Sequence, residues 1–173
     1  MKGCHGMTLM ELLVSILILS LLTVALGTGM DAAMEVYNAA RFETDSAALA
    51  GILDTALWDV VTFARDVRQG PEGLVFTNTD YGIQEGAVFT REGLLYLGRE
   101  GQEMPLVNSG AYPDLMVTDV NARYLDTGIL TLLDGTQRAV TRGGIVYITY
   151  RIVSTGSPDR FQDVEMLIHV SEK

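Results

Sequence analysis

Gly6-Met7-Thr8-Leu9-Met10-Glu11-Leu12-Leu13-Val14 opens a long apolar stretch that carries one acid near its start. From Leu12 to Met30 there are 19 residues and none is charged. Wound as a helix they span about 28 Å, close to the hydrocarbon thickness of a bilayer. Leucine, isoleucine and valine dominate the run. A helix also satisfies its own backbone, so the segment is expected to cross a membrane. Glu11 then lies at or just inside one membrane face. An unpaired carboxylate costs roughly 2.5–3.5 kcal/mol at the bilayer centre and less near the edge. It must reach headgroups, stay protonated or meet a cation. Lys2 before the run, with Asp31 and Glu35 after it, fits an N-terminus in the cytoplasm and the bulk of the chain on the far side.

The 173 residues leave room for one membrane helix and one globular domain. The net charge is −10. Direct nucleic-acid binding is therefore not expected, because phosphate contacts need clustered Lys and Arg. The basic residues are mostly arginines scattered from Arg65 to Arg160, with no stripe. Cys4 is the one cysteine. It precedes the apolar run, so it is not placed like a lipoprotein cysteine.

The segment resembles the N-terminus of type IV pilins and of the pseudopilins of type II secretion. Those precursors have a short polar leader ending in glycine, which a membrane-embedded prepilin peptidase removes before methylating the new amine. The resemblance implies a leader of residues 1–6, cleavage between Gly6 and Met7, and N-methylated Met7. The family usually begins its mature chain with phenylalanine, threonine, leucine, isoleucine, glutamate, leucine. Here Met7, Thr8, Leu9, Met10, Glu11 and Leu12 match at four of six positions and keep the glutamate in register. Methionine at the first mature position is a departure. Loss of Cys4 with the leader is another, since many pilins close a C-terminal loop with a disulfide. The family implies that Glu11, with Thr8 beside it, meets the N-terminal ammonium of a neighbouring subunit. Such charges 4 Å apart attract by about 4 kcal/mol at an effective dielectric of 20. Partners implied are other pilin or pseudopilin subunits, the prepilin peptidase and an inner-membrane assembly platform.

Two plainer readings stand beside this one. The run can be a simple signal anchor. It can also be a secretory signal peptide, with Ala25-Leu26-Gly27 supplying small residues before a cut at Thr28. Glu11 argues against the second, because the region ahead of a signal peptide's apolar core is normally basic.

Residues 31–70 read as an amphipathic helix continuing the apolar helix of residues 7–30. Val36, Tyr37, Leu49, Ile52, Leu53, Leu57, Val60, Phe63 and Val67 recur at helical spacing. Glu43, Asp45, Asp54, Asp59 and Asp66 fall on the other face, and Gly70-Pro71 is the expected stop. Gly27 and Gly29 each cost roughly 1 kcal/mol in a helix interior relative to alanine. In pilins the corresponding region loses helicity on assembly; glycines also simply allow close helix packing in membranes.

After Pro71 the period changes to two. Candidate strands are 74–77, 86–90, 94–97, 114–124 with a slip near Asp119, 129–133, 145–153 and 163–170, with a hairpin at Arg91-Glu92-Gly93 and a turn at Asp134-Gly135. One helix followed by strands predicts an α+β fold: an antiparallel β domain, residues 71–173, on the exported half of the helix. This is also the pilin plan, in the manner of the larger minor subunits.

No catalytic constellation is evident. His169 reads as a sheet residue, and Asp114, Asp119, Asp126 and Asp134 lack a calcium-loop spacing. No cofactor or metal is expected. Tyr124, Tyr147, Tyr150 and Phe161 either form an exposed patch or alternate, with half facing the helix. The reading is a non-enzymatic structural subunit of a pilus, a secretion pseudopilus or a competence pilus. The alternative is a single-pass membrane-anchored extracytoplasmic binding or sensor protein.

Overall fold

The computed structural model describes residues 8–70, 73–99, 102–108, 110–141 and 144–170. Helix α1, Leu9–Thr62, is continuous over 54 residues. The chain divides into two units, Met1–Glu43 and Thr44–Lys173, with the boundary inside α1. In the first unit every described residue of the helix from Leu9 to Arg41 is exposed. In the second unit the helix buries one stripe: Ser46, Leu49, Ala50, Leu53, Leu57, Val60 and Val61. Ser46, Leu49, Leu53, Leu57 and Val60 advance by three or four, with Ala50 and Val61 beside them, the spacing that keeps side chains on one face.

The helix ends at Thr62, not at Gly70, which corrects the helical reading of residues 63–70. Val60-Val61-Thr62 is a β-branched run with weak helix propensity. Buried Asn78 then donates its amide to the Val60 carbonyl at 2.7 Å, satisfying an acceptor that the ending helix leaves open. The oxygen of the same side chain accepts the backbone N–H of Asp80 at 3.0 Å and of Tyr81 at 3.3 Å. One asparagine thus closes a helix and shapes a turn.

Ten strands follow. β1 (Arg65–Gly70), β2 (Gly73–Asn78), β3 (Ile83–Arg91), β4 (Leu94–Arg99) and β5 (Gln102–Pro105) form an antiparallel sheet in chain order. β6 (Leu115–Leu125), β9 (Ile145–Ser154) and β10 (Phe161–His169) form a second, ordered β10-β9-β6. β7 (Gly128–Thr131) and β8 (Gln137–Val140) are a separate hairpin. The α+β expectation holds, with long helix first and antiparallel strands after it. The single sheet becomes two sheets and a hairpin, and the β region begins at Arg65 instead of residue 71.

The β3–β4 hairpin is where expected, but Arg91 belongs to the strand and the turn is two residues, not three. Arg91 pairs with Leu94, and Glu92 and Gly93 both have positive φ, 51° and 76°. That is the backbone a two-residue hairpin needs. The slip near Asp119 is a β-bulge: the β6–β9 register shifts between Thr118 and Asn121, and Asp119 has φ 53°.

The tyrosines divide by face. Tyr150 is buried and donates to Asp54 Oδ1 at 2.9 Å. Asp54, read as a surface residue, is therefore a tie between helix and sheet. Tyr147 is buried on the other face of β9, with Ile145, Leu130 and Val140. Phe161 is exposed, with the Arg151 guanidinium 4.4 Å from its ring centre. Arg151 also grips Asp163 through two bonds of 2.6 and 3.1 Å.

Candidate functional site

Gly6 and Met7 lie outside the described residues. The site begins at Thr8. Its Oγ1 accepts the Glu11 N–H at 3.3 Å, and Glu11 Oε2 accepts the Thr8 N–H at 2.9 Å and the Thr8 hydroxyl at 3.1 Å. The Thr8 carbonyl takes the first helical bond, from Leu12 N–H at 3.1 Å. This reciprocal pair is a capping box: a threonine at the helix start and a glutamate three residues on, each satisfying a backbone donor that the helix cannot. The Thr-x-x-Glu spacing is legible in the sequence as such a box. Reading Glu11 only against a neighbouring subunit passes over it.

The box holds Oε2 on its own chain. Oε1 makes no hydrogen bond among the described residues. Thr8 and Glu11 therefore come together at the start of α1, with one carboxylate oxygen left to accept from another group.

The run after Glu11 is apolar all round, and its few hydroxyls turn inward. Ser15 Oγ donates to the Glu11 carbonyl at 2.7 Å, Ser20 to Leu17 at 2.8 Å and Thr23 to Leu19 at 2.8 Å. Thr28 Oγ1 shares the Val24 and Ala25 carbonyls at 3.2 and 3.1 Å. Each hydroxyl is satisfied within its own helix, so none presents an unmet donor to a lipid or to a facing helix. Helix α1 is long and apolar enough to cross a membrane. Gly27 and Gly29 lie inside it, and nothing stands within 4 Å of where a Cβ would be at either. A neighbouring backbone can approach closely there.

Residues 1–27 match the family model of the prokaryotic N-terminal methylation motif. The N-terminus is pilin-like. The matched stretch contains Gly6, Met7, Thr8, Glu11 and Gly27, and it supports both processing of the pilin type and anchoring in a membrane. The family that carries this segment is structural. No curated protein matches the chain. No solved structure matches it.

The other residues singled out by the sequence do not converge. Asp119 faces Arg151 at 3.7 Å, whereas Asp134 Oδ1 accepts the N–H and hydroxyl of Thr136 at 2.8 and 2.7 Å. That second pattern closes a turn. His169 is exposed at the end of β10. Among the described residues, no three His, Cys, Asp or Glu side chains are grouped to hold a metal ion.

Proposed function

We propose that this chain is a non-enzymatic structural subunit, of the minor pilin or pseudopilin kind, in a type IV filament machine. A prepilin peptidase cuts between Gly6 and Met7 and Met7 is N-methylated. The subunit waits in the inner membrane with its N-terminus toward the cytoplasm. It then enters an extracytoplasmic filament through α1, on an assembly platform and beside other pilin or pseudopilin subunits. One observation supports the reading most: residues 1–27 match the methylation motif, and Glu11 within them, fifth after the proposed cut, keeps its Oε1 open among the described residues. A neighbour's ammonium is the cation that an apolar bundle would otherwise lack, and leaving the carboxylate unpaired there would be costly. Gly27 and Gly29 give the helix a point where packing can loosen it.

The capping box supplies a sharp test. Glutamine at the third helical position keeps the cap but not the charge. Glu11→Ala and Glu11→Gln are both expected to insert in the membrane and to vanish from sheared filaments. Wild-type recovery of Glu11→Gln would reduce Glu11 to a helix cap and overturn the pairing role. If recovery in the membrane is unaffected by deleting the prepilin peptidase, and no filament fraction contains the chain, a simple anchored binding protein is the better account.

A further inference from the structure

The ends of the sheets are not equally protected. An edge strand offers unpaired backbone groups to any passing strand, and charges, prolines and bulges normally guard it. β1 carries Arg65, Asp66 and Arg68, and β5 carries Glu103 and Pro105. β6 has its bulge at Asp119, β8 has Arg138, and β10 has Asp163 and Glu165. β7 is Gly128-Ile129-Leu130-Thr131, with no charge, proline or bulge, and it pairs with β8 alone.

The β7 strand is also held firmly. Leu130 packs with Val140 against Ile145 and Tyr147. Just beyond the strand, Glu165 Oε2 accepts the Leu133 N–H at 2.9 Å and the Tyr147 hydroxyl at 3.0 Å. Ile129 on the outer face is 66% exposed. A rigid edge loses little entropy when something pairs with it.

A groove of about 660 Å³ is lined by Ile129 and Thr131 of β7 together with Asn121, Arg123, Gln69 and Val88. Gln69 Oε1 accepts the Tyr124 N–H at 2.9 Å, and its Nε2 has no partner among the described residues. Arg123 donates through Nε to Asn121 Oδ1 at 3.2 Å and forms no ion pair among the described residues. In a chain of net charge −10, this arginine is placed to meet a carboxylate.

We propose that the groove is a strand-addition site. An extended segment of a partner protein lies along β7 as a third strand of the hairpin, with an Asp or Glu side chain on Arg123. Backbone pairing supplies the hold, and the side-chain contacts at Ile129 and Arg123 supply selectivity. Four residues of β7 extend about 13 Å, so the paired core of the segment is four or five residues. The site is wholly within the second unit and does not depend on how α1 assembles.

The test uses the full chain in detergent micelles and an array of amidated octapeptides of alternating β-branched residues. Half of them carry one Glu and half carry Gln at the same position. The Glu members are expected to bind at least tenfold tighter than their Gln twins and to slow hydrogen exchange at the amides of Ile129 and Thr131, which alternate with the β8-paired amide of Leu130. Arg123→Gln should erase the Glu preference. Ile129→Lys, at an exposed position, should guard the edge and remove binding of both sets while the far-UV spectrum stays unchanged. Absence of binding by every member at millimolar concentration overturns the proposal. So does binding without protection of β7, or a Glu preference that survives Arg123→Gln.

Discussion

Leu17 and Leu57 are on the same helix and differ in almost everything that holds them. Leu17 is 60% exposed and Leu57 is 0% exposed. Around Leu17 the polar side chains bond to their own helix, at Ser15, Ser20 and Thr23. Around Leu57 the helix is tied to distant strands, by Tyr150 to Asp54 and by Asn78 to the Val60 carbonyl. Tyr81 also bonds Asp59 on the same stretch. The second stretch has found its partners within the chain. Among the described residues the first has none there, and it is long and apolar enough to cross a membrane.

The contrast breaks most visibly at the two leucines. Leu57→Ala removes a fully buried side chain and should cost about 2–5 kcal/mol. Leu17→Ala should leave the unfolding midpoint of the β region where it is. Denaturant unfolding of the full chain in detergent, followed by the fluorescence of Trp58, measures both. Equal effects would mean that the two stretches are stabilised alike.

Asn78→Ala is the next largest. It strips the Val60 carbonyl and two turn amides of their partner at a site that is 0% exposed. A loss of about 1–3 kcal/mol is expected from the unmet buried groups. Hydrogen exchange should quicken at the end of α1 and at residues 80–81, and not in the apolar run. Exchange that quickens throughout the helix would show its two stretches to be cooperative.

The smallest effect is a pH dependence confined to the second stretch and its sheet. Burial, and then the bond to Glu165, pushes the Tyr147 hydroxyl up to about 12. Burial and the bond to Asp54 raise that of Tyr150 as well. A raised pKa means that the folded chain holds the proton more tightly than the unfolded chain. The stabilisation is therefore complete below pH 10, the ordinary tyrosine value, and is lost as pH rises toward 12. Tyr147→Phe should flatten part of that decline, measured as the denaturation midpoint between pH 9 and 12. It should also cost about 1 kcal/mol at neutral pH, through the lost hydroxyl bond. A decline unchanged in Tyr147→Phe would place the titrating group elsewhere.

What the sequence showed was local. The apolar run, the Glu92-Gly93 hairpin and the slip at Asp119 each follow from spacing and turn chemistry within a few residues. The Thr8–Glu11 box was equally local and needed only the capping spacing to be read. What it hid was non-local. Val60, Phe63 and Val67 continue a helical spacing, so the stop at Thr62 is invisible without Asn78, 18 residues beyond Val60. The same residues also suit a strand, and pairing of Arg68 with Val75 decides for β1. Asp54 reads as a solvated acid until Tyr150 arrives from 96 residues away. β5 and β8, four residues each, are too short and polar to declare themselves. Their existence rests on partners.

In the proposed function, the exposed stretch belongs to an assembly entered by cleavage at Gly6–Met7. The mass of the N-terminal peptide of the chain recovered from membranes tests it most directly. The expected peptide begins at Met7 and is heavier by one methyl group, and the intact N-terminus replaces it when the prepilin peptidase is deleted. A mature chain beginning at Thr28, or one that keeps residues 1–6 with the peptidase present, would contradict it.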